Sequence, residues 1–438
     1  MQDGPALDQS SGQRDTAPEE ADCGVARENQ DEGMMQRSEA VQKICDVVTA
    51  ECNRAFGDRV VALILTGSAA RGEVTILNAA DGWKLSSDAE FLLVVQRTAE
   101  SADARSADLV RQESAKKLRS QGIEVSIDLA VVLPSYLQAL PPHIFSYELR
   151  SCGKVILGDP RVLDLIPKFA TQEISREDAW RLLCNRMIEQ LEFVDDLENS
   201  TVQLTSRLNY ASVKLYLDMA TSYLVFAGHY APTYRERADR LSALASQRNE
   251  QSPFPLTKFA ARVAECTSWK LSGDEESCDR GVEFWHEAIS YMRRLWRWEM
   301  IQLTHARGEL TIASLTNRLA EQQTSQQRLR GWMSVVKRYG WVKSCAQWPR
   351  WARLSSRSTP RYLVYQVAAE IAFRLPCLIK HKGEPPRLDV NWHELRGLLP
   401  ARLPERAPHP NSQRNAVWRK LVDDVLWNYS EFLRSTRA

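Results

Sequence analysis

The sequence predicts an α+β protein: a small mixed-sheet domain followed by a mainly helical C-terminal region. Two apolar runs predict the sheet. Val60 to Leu65 and Phe91 to Val95 are short, wholly apolar and partly β-branched, the pattern of strands buried on both faces. Beyond Pro167 the pattern changes to apolar stripes at helical spacing, and these predict the helical region. With 438 residues the chain has room for two or three domains, each with its own core.

The elements follow in order. Residues 1–34 read as a disordered acidic tail. Asp3, Asp8, Asp15, Glu19, Glu20, Asp22, Glu28, Asp31 and Glu32 are opposed only by Arg14 and Arg27, with few apolar residues among them. Residues 35–167 form the sheet domain. It opens with a helix over Met35 to Phe56, where Val41, Ile44, Val47, Val48 and Cys52 recur at helical spacing. The first strand ends at Thr66-Gly67-Ser68, and Val74 to Ser86, with Asn78, Asp81 and Gly82, reads as a loop. The second strand follows Ser87-Asp88-Ala89-Glu90. Ala102 to Ser120 reads as a solvent-facing helix, and Ile123 to Val132 as a third strand, apolar at alternate positions until its end.

Residues 168–310 are read as a helical domain. Ser175 with Asp178 resembles a capping box, and Trp180, Leu183, Met187, Leu191 and Val194 form the stripe behind it. Leu208 to Phe226, stopped by Gly228, and Cys278 to His305 are the next strong helices. Residues 311–438 form a basic, Trp-rich helical region. No internal repeat at a fixed period is present.

Composition excludes several classes of function. The net charge of +1 names no partner. No apolar run approaches the roughly 18 residues of a membrane helix. The first thirty residues lack the basic start and apolar core of a secretion signal, so a cytoplasmic protein is expected. The nine cysteines are scattered without a CxxC pair, as expected of reduced thiols. The seven histidines are equally dispersed, so no zinc site is indicated.

Three short segments carry chemistry. In Gly67-Ser68-Ala69-Ala70-Arg71, a strand ends in Gly-Ser and opens a helix. Gly67 has no Cβ to block an approaching anion, and the next backbone N–H groups and the Ser68 hydroxyl can donate to phosphate oxygens. Arg71, one turn on, would add a forked charged contact. A bare Gly-Ser turn is the plainer account of this segment alone. Asp88 and Glu90 stand at i and i+2 at the start of a strand, so alternation puts both carboxylates on one face. Two adjacent carboxylates repel unless a cation separates them, and Mg²⁺ is the natural hard cation. Asp128 lies in the apolar run Val125 to Val132, where an isolated acid is costly unless paired or metal-bound. The plainer account is that these acids face water at strand edges.

Taken together, Gly67-Ser68, Ser87-Asp88-Ala89-Glu90 and Ile127-Asp128-Leu129 resemble the signature of the DNA polymerase β-like nucleotidyltransferase superfamily. The Asp-x-Glu form and the helical follow-on are similar to its bacterial branch: aminoglycoside nucleotidyltransferases, minimal nucleotidyltransferases and cyclic-oligonucleotide synthases. The resemblance covers roughly residues 60 to 132. It implies a nucleoside triphosphate donor, ATP foremost, held by Gly67, Ser68 and Arg71. It also implies two Mg²⁺ ions held by Asp88, Glu90 and Asp128, and transfer of a nucleoside monophosphate to a hydroxyl with release of pyrophosphate. Asp128 would serve as general base. The long segment 74–86 departs from the family pattern and puts the placement of Asp88 in question.

In this superfamily a helical domain closes over the nucleotide. The resemblance makes Arg186 and Lys214 candidates for the outer phosphates. An i,i+4 pair of Lys214 with Asp218 is the structural alternative. In the last third, Trp332, Trp341, Trp348, Trp351, Trp392, Trp418 and Trp427 are interleaved with Arg328, Arg330, Lys337, Arg338, Lys343, Arg350, Arg353, Arg357 and Arg361. Such a strip stacks bases and meets phosphates, or else builds a Trp core under a solvated basic face. The expected acceptor is a small molecule or a protein hydroxyl. The alternatives are RNA 3′-end or oligonucleotide synthesis, and a nucleotide-binding module without activity.

Overall fold

The computed structural model describes residues 21–79, 82–97, 100–199, 204–247, 252–272, 281–308, 310–380, 390–403 and 417–433. The architecture is α+β, with the sheets in the N-terminal part and helices beyond. Helix α1 (Ala21–Phe56) leads into β1 (Val60–Thr66), the short α2 (Gly67–Arg71), β2 (Ile76–Ala79), β3 (Gly82–Leu85), β4 (Ala89–Val95) and α3 (Glu100–Ser120). Then come β5 (Ile123–Glu124), β6 (Ile127–Val132), α4 (Pro134–Gln138), α5 (Ile144–Cys152) and β7 (Lys154–Gly158).

The main sheet has the order β6-β4-β1-β7. Strand β1 is antiparallel to β4 and β7, while β4 and β6 run parallel. Both faces are covered, which is why these strands read as unbroken apolar runs. Leu63, Leu65, Phe91, Leu93, Val95 and Leu129 pack with α1 and α3 residues such as Ile44, Val48 and Leu118. Ala62, Ile64, Leu92 and Val94 face the other way, onto Leu137, Leu140, Leu149 and Ile166.

The structure differs from the sequence reading in several elements. Helix α1 begins at Ala21 rather than Met35. The acidic stretch 1–20 lies outside the described residues. The predicted loop 74–86 holds the antiparallel pair β2–β3. Gly82 is essential there: at φ +140°, a Cβ would sit 2.0 Å from the Gly122 carbonyl oxygen. The predicted third strand is two strands. β5 pairs with β3 in a second sheet of order β2-β3-β5, and β6 enters the main sheet. The expected capping box at Ser175 is not formed by its side chain; Asp178 instead accepts from the Ile144 backbone N–H at 2.9 Å.

The helical part comprises α6 (Arg176–Glu189), α7 (Val194–Asn199), α8 (Leu204–Phe226), α9 (Tyr234–Ser246), α10 (Leu256–Ser272) and α11 (Gly281–Thr304). It continues with α12 (Ile312–Glu321), α13 (Ser325–Tyr339), α14 (Trp341–Cys345), α15 (Trp348–Ser355) and α16 (Pro360–Ala372). Three more follow: α17 (Leu375–Lys380), α18 (Trp392–Leu398) and α19 (Val417–Asn428). One apolar cluster runs from Ile174 to Leu433, so residues on both sides of position 310 share a core. Trp180, Trp285 and Trp296 are its largest fully buried side chains. In its middle lies a buried acid, Glu299, whose Oε1 accepts from Ser222 Oγ at 2.6 Å and whose Oε2 has no hydrogen-bond partner. Among the described residues no helix is long and apolar enough to cross a membrane.

Candidate active site

The bend after β1 is the starting point. Gly67 has φ +67°, a conformation that glycine adopts freely and other residues resist. It also has no room for a side chain: an added Cβ would stand 3.1 Å from the Glu90 carboxyl carbon. The bend and Glu90 are therefore in direct opposition. The register explains this, because Thr66 pairs with Glu90 and Glu90 pairs in turn with Asp128 on β6. By parity, Glu90 lies on the same face as Leu92 and Val94, and Asp128 on that of Ala130 and Val132. Both acids thus project from one end of the same sheet face, side by side on parallel strands and half-buried.

Asp88 behaves differently. It lies one residue before β4 begins, outside the pleat, so strand alternation does not carry to it. It is exposed, at the end of the segment Ser86-Ser87-Asp88, which the helical part grips. Among the described residues no three His, Cys, Asp or Glu side chains gather closely enough to hold a metal ion. The expected three-carboxylate site of Asp88, Glu90 and Asp128 is therefore not assembled in this structure. Glu90 and Asp128 offer hard oxygen donors in register, and Asp88 does not complete the set.

Beside the segment that precedes β4 stands a buried cationic group that the sequence reading missed. Lys270, on α10, is 2% exposed. Its Nζ donates to the Tyr210 hydroxyl at 3.0 Å and to Ser87 Oγ at 3.4 Å. Tyr210 donates to the Ser86 carbonyl at 2.9 Å, and Thr75 Oγ1 donates to the Lys270 carbonyl at 2.9 Å. Lys214, on α8, is half-buried and sits 4.7 Å from the centre of the Tyr210 ring, with Lys270 Nζ 4.9 Å from the same centre. Burial lowers the pKa of Lys270; the Tyr210 hydroxyl works against this, and Lys214 and Arg186 add to the lowering. Burial raises the Tyr210 phenol, but Lys270 and then Lys214 outweigh it, and the net shift is downward. Two lysines crowded on one tyrosine are a site short of negative charge. The signal was present in the sequence: Phe259, Val263, Cys266 and Lys270 share one helical stripe, so a lysine occupies an apolar position.

Two other expected phosphate ligands are engaged elsewhere. The Arg71 side chain is 6% exposed. Its Nε donates to Glu73 at 2.9 Å, its Nη1 to Glu148 at 2.6 Å, and its guanidinium lies 5.3 Å from the Tyr234 ring centre. Glu148 also accepts from Tyr230 and Arg237, and Glu73 accepts from the Tyr234 backbone N–H at 2.6 Å. Arg71 thus ties the bend to α5 and α9 instead of reaching forward. Arg186 pairs with Asp218 at 2.7 Å and with Glu189. That contact takes up Asp218, the partner expected for Lys214. Arg186 stays close enough to bear on Lys270 electrostatically.

No protein-family model matches the chain, and no curated protein does. Among solved structures it is similar to the spectinomycin adenyltransferase of Enterococcus faecialis, crystallised with ATP and spectinomycin. The identity is 13% and the TM-score 0.33, over 58% of this chain and 98% of that one. A likeness of this size carries no argument, and the functional reading rests on the chain's own residues.

Proposed function

We propose that the chain is a nucleotidyltransferase that binds a nucleoside triphosphate, ATP foremost, and transfers its nucleoside monophosphate to a hydroxyl of a small molecule or protein. In this reading residues 35–167 supply the acids and the bend, and residues 168–310 close over them. The observation that carries it is the facing of Gly67 and Glu90 with Asp128 in register beside them. The triphosphate would lie along the Gly67-Ser68 backbone, its outer phosphates toward Lys270 and Lys214, whose charges a polyanion would relieve.

The chemistry needs one displacement. The acceptor oxygen forms a bond to the α-phosphorus, the bond between the α-phosphorus and the α–β bridging oxygen breaks, and pyrophosphate leaves with that oxygen and the electron pair. The acceptor proton passes to the Asp128 carboxylate as general base. Positioning and the two lysine charges carry the remainder.

A second reading, nucleotide binding without transfer, is favoured by the unassembled three-acid group. One experiment separates the two. The protein and its Asp128→Asn variant are incubated with each α-labelled triphosphate and a cell extract, with and without Mg²⁺. Label in a new product that the variant does not form supports transfer, and the Mg²⁺ arm reads metal dependence. Calorimetric binding of a non-hydrolysable ATP analogue with no labelled product supports the binding module. Absence of both, in folded protein, overturns the nucleotide assignment.

A further inference from the structure

We propose that α13 to α15 form a docking surface for single-stranded RNA. The sequence from Gln322 to Ala369 contains no Asp or Glu but includes all nine of the basic residues from Arg328 to Arg361 named above, although the whole chain carries only +1. Charge of one sign over so long a stretch is what a polyanion requires. The Trp residues here divide into two kinds. Trp332 and Trp351 are core, 5% and 4% exposed, and each spends its indole N–H on a backbone carbonyl, of Ser358 and Pro400. Trp341 and Trp348 are 60% and 49% exposed at the starts of α14 and α15, and Leu329 and Met333 lie exposed one turn apart on α13. Exposed indoles set among unpaired cations are the pairing that stacks bases and meets phosphates.

The basic residues divide in the same way. Arg328 and Arg350 are structural, donating to the carbonyls of Ser356, Ala320, Pro400 and Leu399. Arg330, Lys337, Arg353 and Arg357 are exposed, and among the described residues none of the four is ion-paired. Burial, reinforced by Arg402 and Arg353 against the pull of Asp424, pushes the Arg350 pKa down to about 10, as expected in a field short of negative charge. Arg330 also belongs to a cavity of about 410 Å³ lined by Arg361, Gln327 and the ion pair of Arg181 with Glu177.

Charge alone would suit any polyanion. Exposed indoles among the charges select unpaired bases, because every base offers a face on which to stack, whereas duplexes hide those faces and acidic polypeptides have none. The inference is independent of nucleotidyl transfer; it holds with the acids of the sheet intact or replaced.

The test uses the full chain and a fluorescent 15-nucleotide oligoadenylate, with anisotropy read between 50 and 300 mM salt (about the span over which such slopes resolve). The expected result is saturable binding whose logarithm falls with log salt at a slope of about −3, the sum for four neutralised phosphates on a single strand. Trp341→Ala/Trp348→Ala weakens it at least about tenfold with little change of slope. Lys337→Glu/Arg353→Glu weakens it and flattens the slope by about 1.4. All four positions are exposed, so the thermal midpoints of both variants stay that of the parent. Two competitors complete the design. If polyglutamate or an RNA duplex of the same length displaces the oligomer at equal concentration, the surface reads bulk charge and the proposal is overturned. Indifference of binding to the Trp pair overturns it as well.

Discussion

Two polar clusters flank the bend at Gly67 to Arg71, and they use charge in opposite ways. Behind it, Arg71, Glu73, Glu148, Tyr230 and Arg237 form a closed set in which cation meets carboxylate. Arg237 is 5% exposed, donates to Thr221 at 2.9 Å and also caps the carbonyls of Ala231 and Pro232. On its other side, Glu90 stands against Gly67 with Asp128 in register beside it, and Lys270 and Lys214 press on one tyrosine beside Ser86 and Ser87. The rear cluster pairs each cation with a carboxylate; the front one sets two lysines against one tyrosine. The contrast suggests which residues hold the molecule together and which await a ligand.

The strongest way to break this comparison is to exchange the roles. Asp128→Asn is expected to reduce nucleotidyl transfer to about 1% or less, a loss typical of a missing general base; Glu90→Gln, which removes a charge facing the bend, is expected to act in the same direction. The thermal midpoint stays put. Arg237→Ala is expected to cost about 3–5 kcal/mol of stability, because it leaves the half-buried Glu148 with Arg71 as its one cation among the described residues and strips the Ala231 and Pro232 carbonyls of their donor, and is read by urea denaturation. If the front variants unfold the protein or the rear one does not destabilise it, front and rear are not distinct.

Smaller effects sharpen the picture. Lys270→Met is expected to weaken calorimetric ATP binding about tenfold or more. Without ligand it leaves stability equal or slightly higher, since a buried cation with a lowered pKa is a liability to the empty protein. A drop in stability with unchanged ATP binding would make Lys270 a structural residue. Gly67→Ala is expected to cost about 1–2 kcal/mol from its left-handed backbone. It also moves the Glu90 carboxyl by contact, so kcat should fall more than the denaturation midpoint suggests.

These clusters also show what the sequence could reveal. Strands β1 and β4 were legible because burial on both faces leaves an unbroken apolar run. The register of Glu90 with Asp128 was not legible, because nothing in the sequence says which strands are neighbours. Strand β7 escaped because Lys154 to Gly158 is short, at the sheet edge and partly exposed. The β2–β3 hairpin escaped because its polar turn residues outweighed two four-residue strands. The surroundings of Asp88 were not legible because parity holds only inside a strand, and Ser86 to Asp88 is shaped by Tyr210 and Lys270, distant in sequence. Those of Arg71 were not legible for a similar reason: its partner Glu148 lies 77 residues away.

The solitary acid inside the helical core gives the molecule a dependence on proton supply. Burial pushes the Glu299 pKa up to about 8, with the Ser222 hydroxyl opposing, so near neutrality the folded chain retains a proton that the unfolded chain releases. A raised carboxyl pKa stabilises most below its unfolded value, and that benefit drains away as pH rises through about 8. Melting temperatures should accordingly decline from about pH 5 to 8 through this one group, and Glu299→Gln, which has no proton to lose, should flatten the decline. An unchanged slope in that variant would place the pH dependence elsewhere. The helical core would thus be held most firmly in mildly acidic conditions, and the whole of this loss would be complete once pH exceeds about 8.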